Sequence, residues 1–427
     1  MKEKIVKLLK ENKDLSSYSI VLSNTVSKEA FFVKDKLDMN RGKEVFHVLL
    51  TVYKDFEADG KKYRGSASCK ISPQDTDEVI RKKIADSVFA AGFVKNEWYP
   101  LPKNEKCKVD NKIEHKELLD SILKMKNSVY AKNETKANIN SVEFFASSTL
   151  VEVVNSEGVD VSFVENKNIA EVITDAKGAE EVEIYGCESY GKLDDALLKE
   201  VVQEQLHNTS ERAIATKATH INSINVILRG SAVPSFFDFY ITQTSSSNVY
   251  SGQSRAKRGE NFQGEVKGDV LNINLEPNLE NAVNSASYDK EGNHLKHTVL
   301  YENGVVKTYH GGMRHAHYLG IEPTGNIPNF EVASGSLFYE TDMKAKPYIE
   351  ILMFSDFFMD ATTGNFGGEF RLARYFDGKE THIITGGSIS GNMFKVQSEM
   401  YFSKEIMIKD GYKGPKAVFL PNMEIVG

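Results

Sequence analysis

The stretch 288–327 constrains the fold more tightly than any other part of the chain. It carries Asn303-Gly304 between two β-prone runs, 297–301 and 305–309. Asn-Gly in that setting signals a two-residue hairpin, because both residues tolerate the positive φ that a type I′ turn demands. Upstream, Asp289-Lys290-Glu291-Gly292 reads as a second turn, in which glycine takes φ > 0 without steric cost. Downstream, Pro323-Thr324-Gly325-Asn326 closes the stretch. The core of this segment therefore reads as a hairpin with glycines at both turns and a Thr-Gly-Asn loop downstream.

From about residue 218 onward the chain keeps that character. Short β-prone runs alternate with glycines and asparagines, and one helical pattern interrupts them at 233–242. Such runs close into barrels or sandwiches, so a large, mostly antiparallel β domain is expected over 218–427. The first half reads differently. A helix is expected at 3–12, with Ile5, Val6, Leu8 and Leu9 on one face, and strands at 18–22, 30–33, 45–53 and 62–71. The run 45–53 is apolar at both parities, which suits a central strand, and Ala58-Asp59-Gly60 marks the hairpin turn behind it. A helix at 73–91 would start at Ser72-Pro73 and stop at Gly92. Two prolines and many charges mark 94–113 as a connecting segment, pinned by Trp98 and Tyr99. A helix at 115–127 follows, with Leu118, Leu119, Ile122 and Leu123 inward, then strands at 142–147, 150–155, 159–165 and 181–185, and a helix at 194–217. The predicted class is α+β: an N-terminal subdomain (1–93), the connecting segment (94–113), a second α+β subdomain (114–217) and the β-rich domain (218–427).

Charge and cysteine content narrow the function classes. With 53 basic against 60 acidic side chains the net charge is −7, which argues against a nucleic-acid surface. Arg255-Ala-Lys257-Arg258 is the one short basic candidate and reads as a solvated loop. Cys69, Cys107 and Cys187 form no C-x-x-C pair, so neither a zinc ribbon nor a disulfide framework is expected. The charged N-terminus lacks the apolar run of a secretory signal, and no stretch approaches the roughly 18 apolar residues of a membrane span. A reduced, cytoplasmic protein without membrane contact is the expectation.

Three blocks, taken together, resemble a known family. They are Asp289-x-Glu291-Gly292 with Asn303-Gly304 and Thr324-Gly325-Asn326; then Thr363-Gly364-Asn365-Phe366 with Gly378-Lys379; then Gly386-Gly387-Ser388-Ile389-Ser390-Gly391-Asn392. Each is a common turn sequence alone. Their order and spacing resemble the TldD/PmbA family, also called the modulator of DNA gyrase family, and the likeness extends more diffusely over nearly the whole chain. Active members of that family carry H-E-x-x-x-H on a helix after a V-I/V-L strand. The resemblance implies that the two histidines, five residues apart, hold one Zn²⁺ and that the glutamate between them activates its bound water. Here the strand Val226-Ile227-Leu228 is followed by Ser231-Ala-Val-Pro-Ser-Phe-Phe-Asp238-Phe-Tyr-Ile241, without His or Glu. The family pattern resumes at Val249-Tyr250-Ser251-Gly252 and Gly259-Glu260, so alignment slippage does not explain the gap. The family's third ligand is a late cysteine, and no cysteine here lies beyond Cys187. The chain is therefore similar to the TldE/PmbA-type subunit, which lacks the metal motif. The resemblance implies no catalytic residue and no metal in this chain, a zinc-like metal in a TldD-like partner, and a cytosolic heterodimeric metallopeptidase acting on unfolded peptides. Self-association as a homodimer is the other assembly it allows. The alternative function is a gyrase-modulator-like binding protein that acts without a proteolytic partner.

Two further groups of residues are candidates. His310, His315 and His317 cluster within eight residues. On a strand His315 and His317 would share a face and could hold a metal; on a helix they diverge. Asn365, Phe366, Gly367, Gly368, Ser390, Gly391 and Asn392 could line a peptide groove, since glycine lets an extended backbone approach closely. The Gly-rich run 386–391 lacks the Lys-Ser/Thr of a phosphate-binding loop, and Ser388 and Ser390 have no evident His/Asp partners.

Overall fold

The computed structural model describes residues 1–109 and 115–427; the end of the expected connecting segment lies outside the described residues. The hairpin reading of 303–304 holds. Tyr301 pairs with Val306 and Glu302 with Val305, and the two loop residues sit at φ 51° and 75°. Asp59 and Gly60 turn the chain in the same way, at φ 54° and 72°, between strands Lys36–Ala58 and Lys61–Ile71.

The protein is α+β. Its N-terminal strands are far longer than the sequence suggested. The runs expected at 18–22 and 30–33 are one strand, Ser17–Val33, and those at 142–147 and 150–155 are one strand, Asn138–Asn155. Ser17–Val33 pairs with both Lys36–Ala58 and Asn138–Asn155, so a single seven-stranded sheet runs through the segments expected as two subdomains. The two-residue periodicity sets one face of this sheet toward the helices, and that face carries two cores along its length. Tyr18, Ile20, Leu22, Val48, Leu50 and Val52 face helices Lys2–Glu11 and Asp77–Ala91 in one core. Val26, Ala30, Val142 and Phe144 face helices His115–Val129 and Asp195–Arg212 in another. The buried stripe of His115–Val129 is Leu118, Ile122, Met125 and Val129, while Leu119 and Leu123 are half-exposed rather than inward. The helix expected to start at Ser72-Pro73 starts at Asp77, because Asp75 turns back onto the Ser72 N–H and Thr76 is the residue whose hydroxyl caps Val79. The helix expected to run to 217 ends at Arg212.

In the C-terminal half five strands close into a barrel. In order around it they are Tyr348–Met359, Ile221–Leu228, Val418–Val426, Gly387–Asn392 and Asn365–Phe376, the last pairing back to the first. A six-stranded sheet that contains the Asn303-Gly304 hairpin stands beside it. Between them lies helix Ala232–Thr244, with Pro234 harmlessly in its first turn. Phe236 packs on Phe366 of the barrel, Phe237 on Tyr412 of the sheet, and Tyr240 on Tyr301. All six rings are essentially inaccessible. The aromatic run in the sequence is thus the seam of this domain. Among the described residues no helix is long and apolar enough to cross a membrane.

Candidate functional site

A cleft of about 850 Å³ opens where the second face of the N-terminal sheet meets loops of the C-terminal domain. Its wall follows from strand parity. Val21, Leu49 and Tyr53 alternate with the helix-facing residues and point the other way. This explains why the run 45–53 is apolar at both parities: one face is core and the other is cleft. Tyr99 and Leu101 come from the connecting segment. That segment is pinned by Arg64, which clamps Asp55 at 2.7 and 2.8 Å and donates to the Tyr99 carbonyl at 2.9 Å; Trp98 also donates to Asp55 at 3.1 Å. The floor is drawn from the stretch 288–327.

Asp289 organises that floor. Its carboxylate accepts the backbone N–H groups of Glu291 (3.0 Å), Asn293 (2.9 Å) and Asn326 (2.9 Å), and the side-chain amide of Asn293 at 2.9 Å. Gly325, at φ 72°, lets the Thr-Gly-Asn loop seat on it; a Cβ there would meet Leu295 at 2.5 Å and Asp289 at 3.0 Å. Thr324 in turn accepts the Gly311 N–H at 3.0 Å. Two blocks separated by more than thirty residues are therefore one hydrogen-bonded unit.

Glu291 and Arg314 present opposite charges to this cleft. Glu291 is open to the cleft yet surrounded by protein. The loss of hydration, followed by the neighbouring Asp289 charge, raises its pKa above the ordinary glutamate value, against the Met313 N–H, Asn293 and Arg314. Arg314 is held lightly, by Asn96 Oδ1 at 3.3 Å and His315 Nε2 at 3.4 Å. A consequence concerns stability. An acid whose folded pKa lies above its unfolded value favours the folded state only while protonated, so that contribution is present at low pH and is lost as pH rises through the folded pKa. Glu291→Gln is therefore expected to raise the thermal midpoint relative to the parent at pH 7, with the gap closing below about pH 4, the unfolded glutamate range. A gap that widened on acidification would contradict the assignment.

The three histidines do not converge. His315 and His317 lie on helix Met313–Leu319, the geometry in which they diverge. His310 Nε2–H donates to the Ile241 carbonyl at 2.9 Å, and burial lowers its pKa. His315 packs on Tyr250, and His317 meets Trp98 edge to face. Among the described residues the His/Cys/Asp/Glu side chains close enough to share a metal are Asp377, Glu380 and His382 on a surface turn. There Asp377 is already engaged by the Lys379 and Glu380 N–H groups. On helix Ala232–Thr244 the outward face offers Ser235, Asp238 and Thr242, a single carboxylate and no imidazole or thiolate. That donor set does not fit a zinc site, which needs about three nitrogen, sulfur or carboxylate ligands.

The residues considered for a peptide groove lie in the barrel, away from the cleft lining. Phe366, Gly367 and Gly368 are paired on both sides, to Gly391, Ser390 and Ile389 and to Met359, Phe358 and Phe357. A Cβ on Gly368 would stand 2.2 Å from the Asp356 carbonyl oxygen, and one on Gly391 would stand 2.4 Å from the Phe366 ring. These glycines make room for neighbouring strands. Asn392 ties the end of the barrel, donating to the Thr363 carbonyl at 3.0 Å and to Asn365 at 2.8 Å while capping Phe394 N–H. Asn365 and Ser390 remain exposed. The sequence reading missed Arg314, Tyr53 and Tyr99. Arg314 carried a signal, as the only arginine in 288–327.

Comparison with known proteins agrees with this architecture. Residues 222–427 match the PmbA/TldA metallopeptidase C-terminal domain. An uncharacterised protein of Methanocaldococcus jannaschii is 23% identical over 280 residues, which cover 62% of this chain and 65% of that protein, so the match spans just under two thirds of the relative's length. TldE from Thermococcus kodakarensis has the same fold, with a TM-score of 0.77 at 16% identity over all of both chains. A gyrase-modulator candidate from Thermotoga maritima gives a TM-score of 0.76 at 18% identity, covering 100% of this chain and 99% of that one.

Proposed function

The chain belongs to the TldD/PmbA family, and from that premise we propose that it is the non-catalytic, TldE/PmbA-like subunit of a heterodimeric metallopeptidase. The observation that carries the reading is helix Ala232–Thr244. Where the metal-bearing relatives would place two histidines and a glutamate, this helix has Phe236, Phe237, Phe239 and Tyr240 welded into the core and one outward aspartate. The partner is then a TldD-like paralogue that brings the metal and the hydrolytic chemistry, and unfolded peptide is the substrate class. This chain would contribute surface and enclosure.

Co-expression with a paralogue carrying H-E-x-x-x-H tests the reading. The expected result is a single 1:1 peak on size exclusion, with peptidase activity in that peak and metal near one per heterodimer. The chain purified alone, without a histidine tag, should hold metal near zero per chain. Separate peaks, with all activity in the paralogue alone, would overturn the proposal, and a recurrent capture of gyrase without any paralogue would favour the binding-protein alternative.

A further inference from the structure

We propose that the cleft between the N-terminal sheet and the 289–315 loops binds a short zwitterionic peptide, its α-ammonium on Glu291 and its α-carboxylate on Arg314. The site belongs to this chain alone and does not rest on the partnership proposed above.

The argument starts from charges left over. Among the described residues Arg314 meets an amide oxygen and an imidazole nitrogen, and no carboxylate lies within salt-bridge distance of it. A guanidinium has five N–H donors in a fork that matches a carboxylate, and most of that fork is free here. Glu291 takes the Met313 N–H and a long contact of 3.4 Å from Asn293, and among the described residues no lysine or arginine pairs with it. An anion and a cation thus face one cavity without forming an ion pair with each other. The remaining charges of the cleft are committed: Asp289 is saturated by donors, and Lys290 pairs with Glu165 at 3.5 Å.

The ligand class follows from this balance. Among the described residues one cation of the cleft, Arg314, lacks a carboxylate partner, and that is too little for a nucleotide or a polyphosphate, which recruit several. One free charge of each sign suits a molecule that carries one of each. The walls supply what a peptide's side chains need, since Val21, Leu49 and Leu101 are apolar and Leu49 stays 42% exposed although it lies on a sheet. Tyr53 and Tyr99 also line the cleft. The volume lies within the range of about 300–1,000 Å³ typical of small-ligand sites. That is room for a few residues and not for a folded partner.

The test is calorimetric titration of the full chain with the tripeptide Ala-Leu-Ala, its N-acetyl form, its C-terminal amide and free leucine. Saturable binding of the free tripeptide is expected, weakened roughly tenfold or more by blocking either end, the scale of one lost charge-assisted hydrogen bond. Free leucine should bind more weakly than the tripeptide. In Glu291→Gln the penalty for acetylation should disappear, while in Arg314→Gln the penalty for amidation should disappear. Each variant should keep its sensitivity to the other end, which a misfolded protein would not do. No saturable binding up to millimolar concentration, or blocked peptides binding as well as the free one, overturns the inference. Leucine binding as tightly as the tripeptide overturns the peptide assignment. Failure here leaves the heterodimer standing, and failure of co-expression leaves this site standing.

Discussion

Glu350→Ala is expected to destabilise the protein by about 3–5 kcal/mol, the cost of breaking a fully buried ion pair by removing one partner. Glu350 sits on barrel strand Tyr348–Met359 and is 0% exposed. Its neighbours Ile349 and Ile351 belong to the main core of the domain, and Glu350 points the other way. There it receives Arg229 at 3.0 Å and the Tyr339 hydroxyl, with Lys344 and Arg374 each at 3.6 Å. The two arginines reach onward to Glu204 (2.9 Å) and Glu211 (3.0 Å), both on helix Asp195–Arg212 of the N-terminal half. The cluster is therefore a weld between halves. Removing its one central acid leaves three cations around a void, and the outer glutamates cannot follow them inward. Urea unfolding followed by far-UV circular dichroism measures the loss. Glu204→Gln is the internal control: Glu204 is 44% exposed, and its loss should cost at most about 1 kcal/mol. Equal losses for the two variants would show that the cluster is not centred on Glu350.

Much of this fold was legible because its signals are local. Asn303-Gly304 and Asp59-Gly60 need φ > 0, and their residue types say so. The N-terminal strands were only half legible. On the helix-facing parity of Ser17–Val33, Asn24 and Lys28 break the apolar series Tyr18, Ile20, Leu22, Val26, Ala30 and Phe32, so one long strand looks like two short ones when the sequence is scanned for apolar alternation. Pairing on both edges holds it in register through those two polar positions. The helix at 77–91 was misplaced at its start because Ser72-Pro73 imitates a cap, and only the Asp75 contact shows that the turn is spent elsewhere. The candidate groove failed to reach the cleft for a related reason. Glycine marks close approach, but the sequence does not say whether a ligand or a neighbouring strand approaches, and at Gly368 it is the Asp356 carbonyl. The cleft itself was out of reach, since Tyr53, Tyr99, Glu291 and Arg314 are brought together only by the docking of two halves.

Asp289→Ala is the second large effect expected, and it separates the scaffold of the cleft from its charges. The substitution removes the acceptor for three backbone N–H groups and one buried amide. Each donor left unsatisfied in the interior costs about 1–3 kcal/mol, and water entering the cleft can relieve some of them, so a net loss of about 3 kcal/mol is expected. The loss should be local before it is global. Amide exchange at Glu291, Asn293 and Asn326 should accelerate, while Ile20 and Val52 in the N-terminal core keep their protection. Uniform acceleration would mean that Asp289 supports the whole fold. Asp289→Asn gives a finer reading. It keeps one acceptor, places an amide against the Asn326 N–H, and removes the second cause of the raised Glu291 pKa, while burial, the first cause, persists. The Glu291 titration, followed by carboxyl-carbon chemical shift, should then move down only part of the way toward the ordinary glutamate value. A complete return would mean that Asp289, and not desolvation in the cleft, sets the charge state of Glu291; no movement would mean that the two carboxylates do not sense each other across the turn.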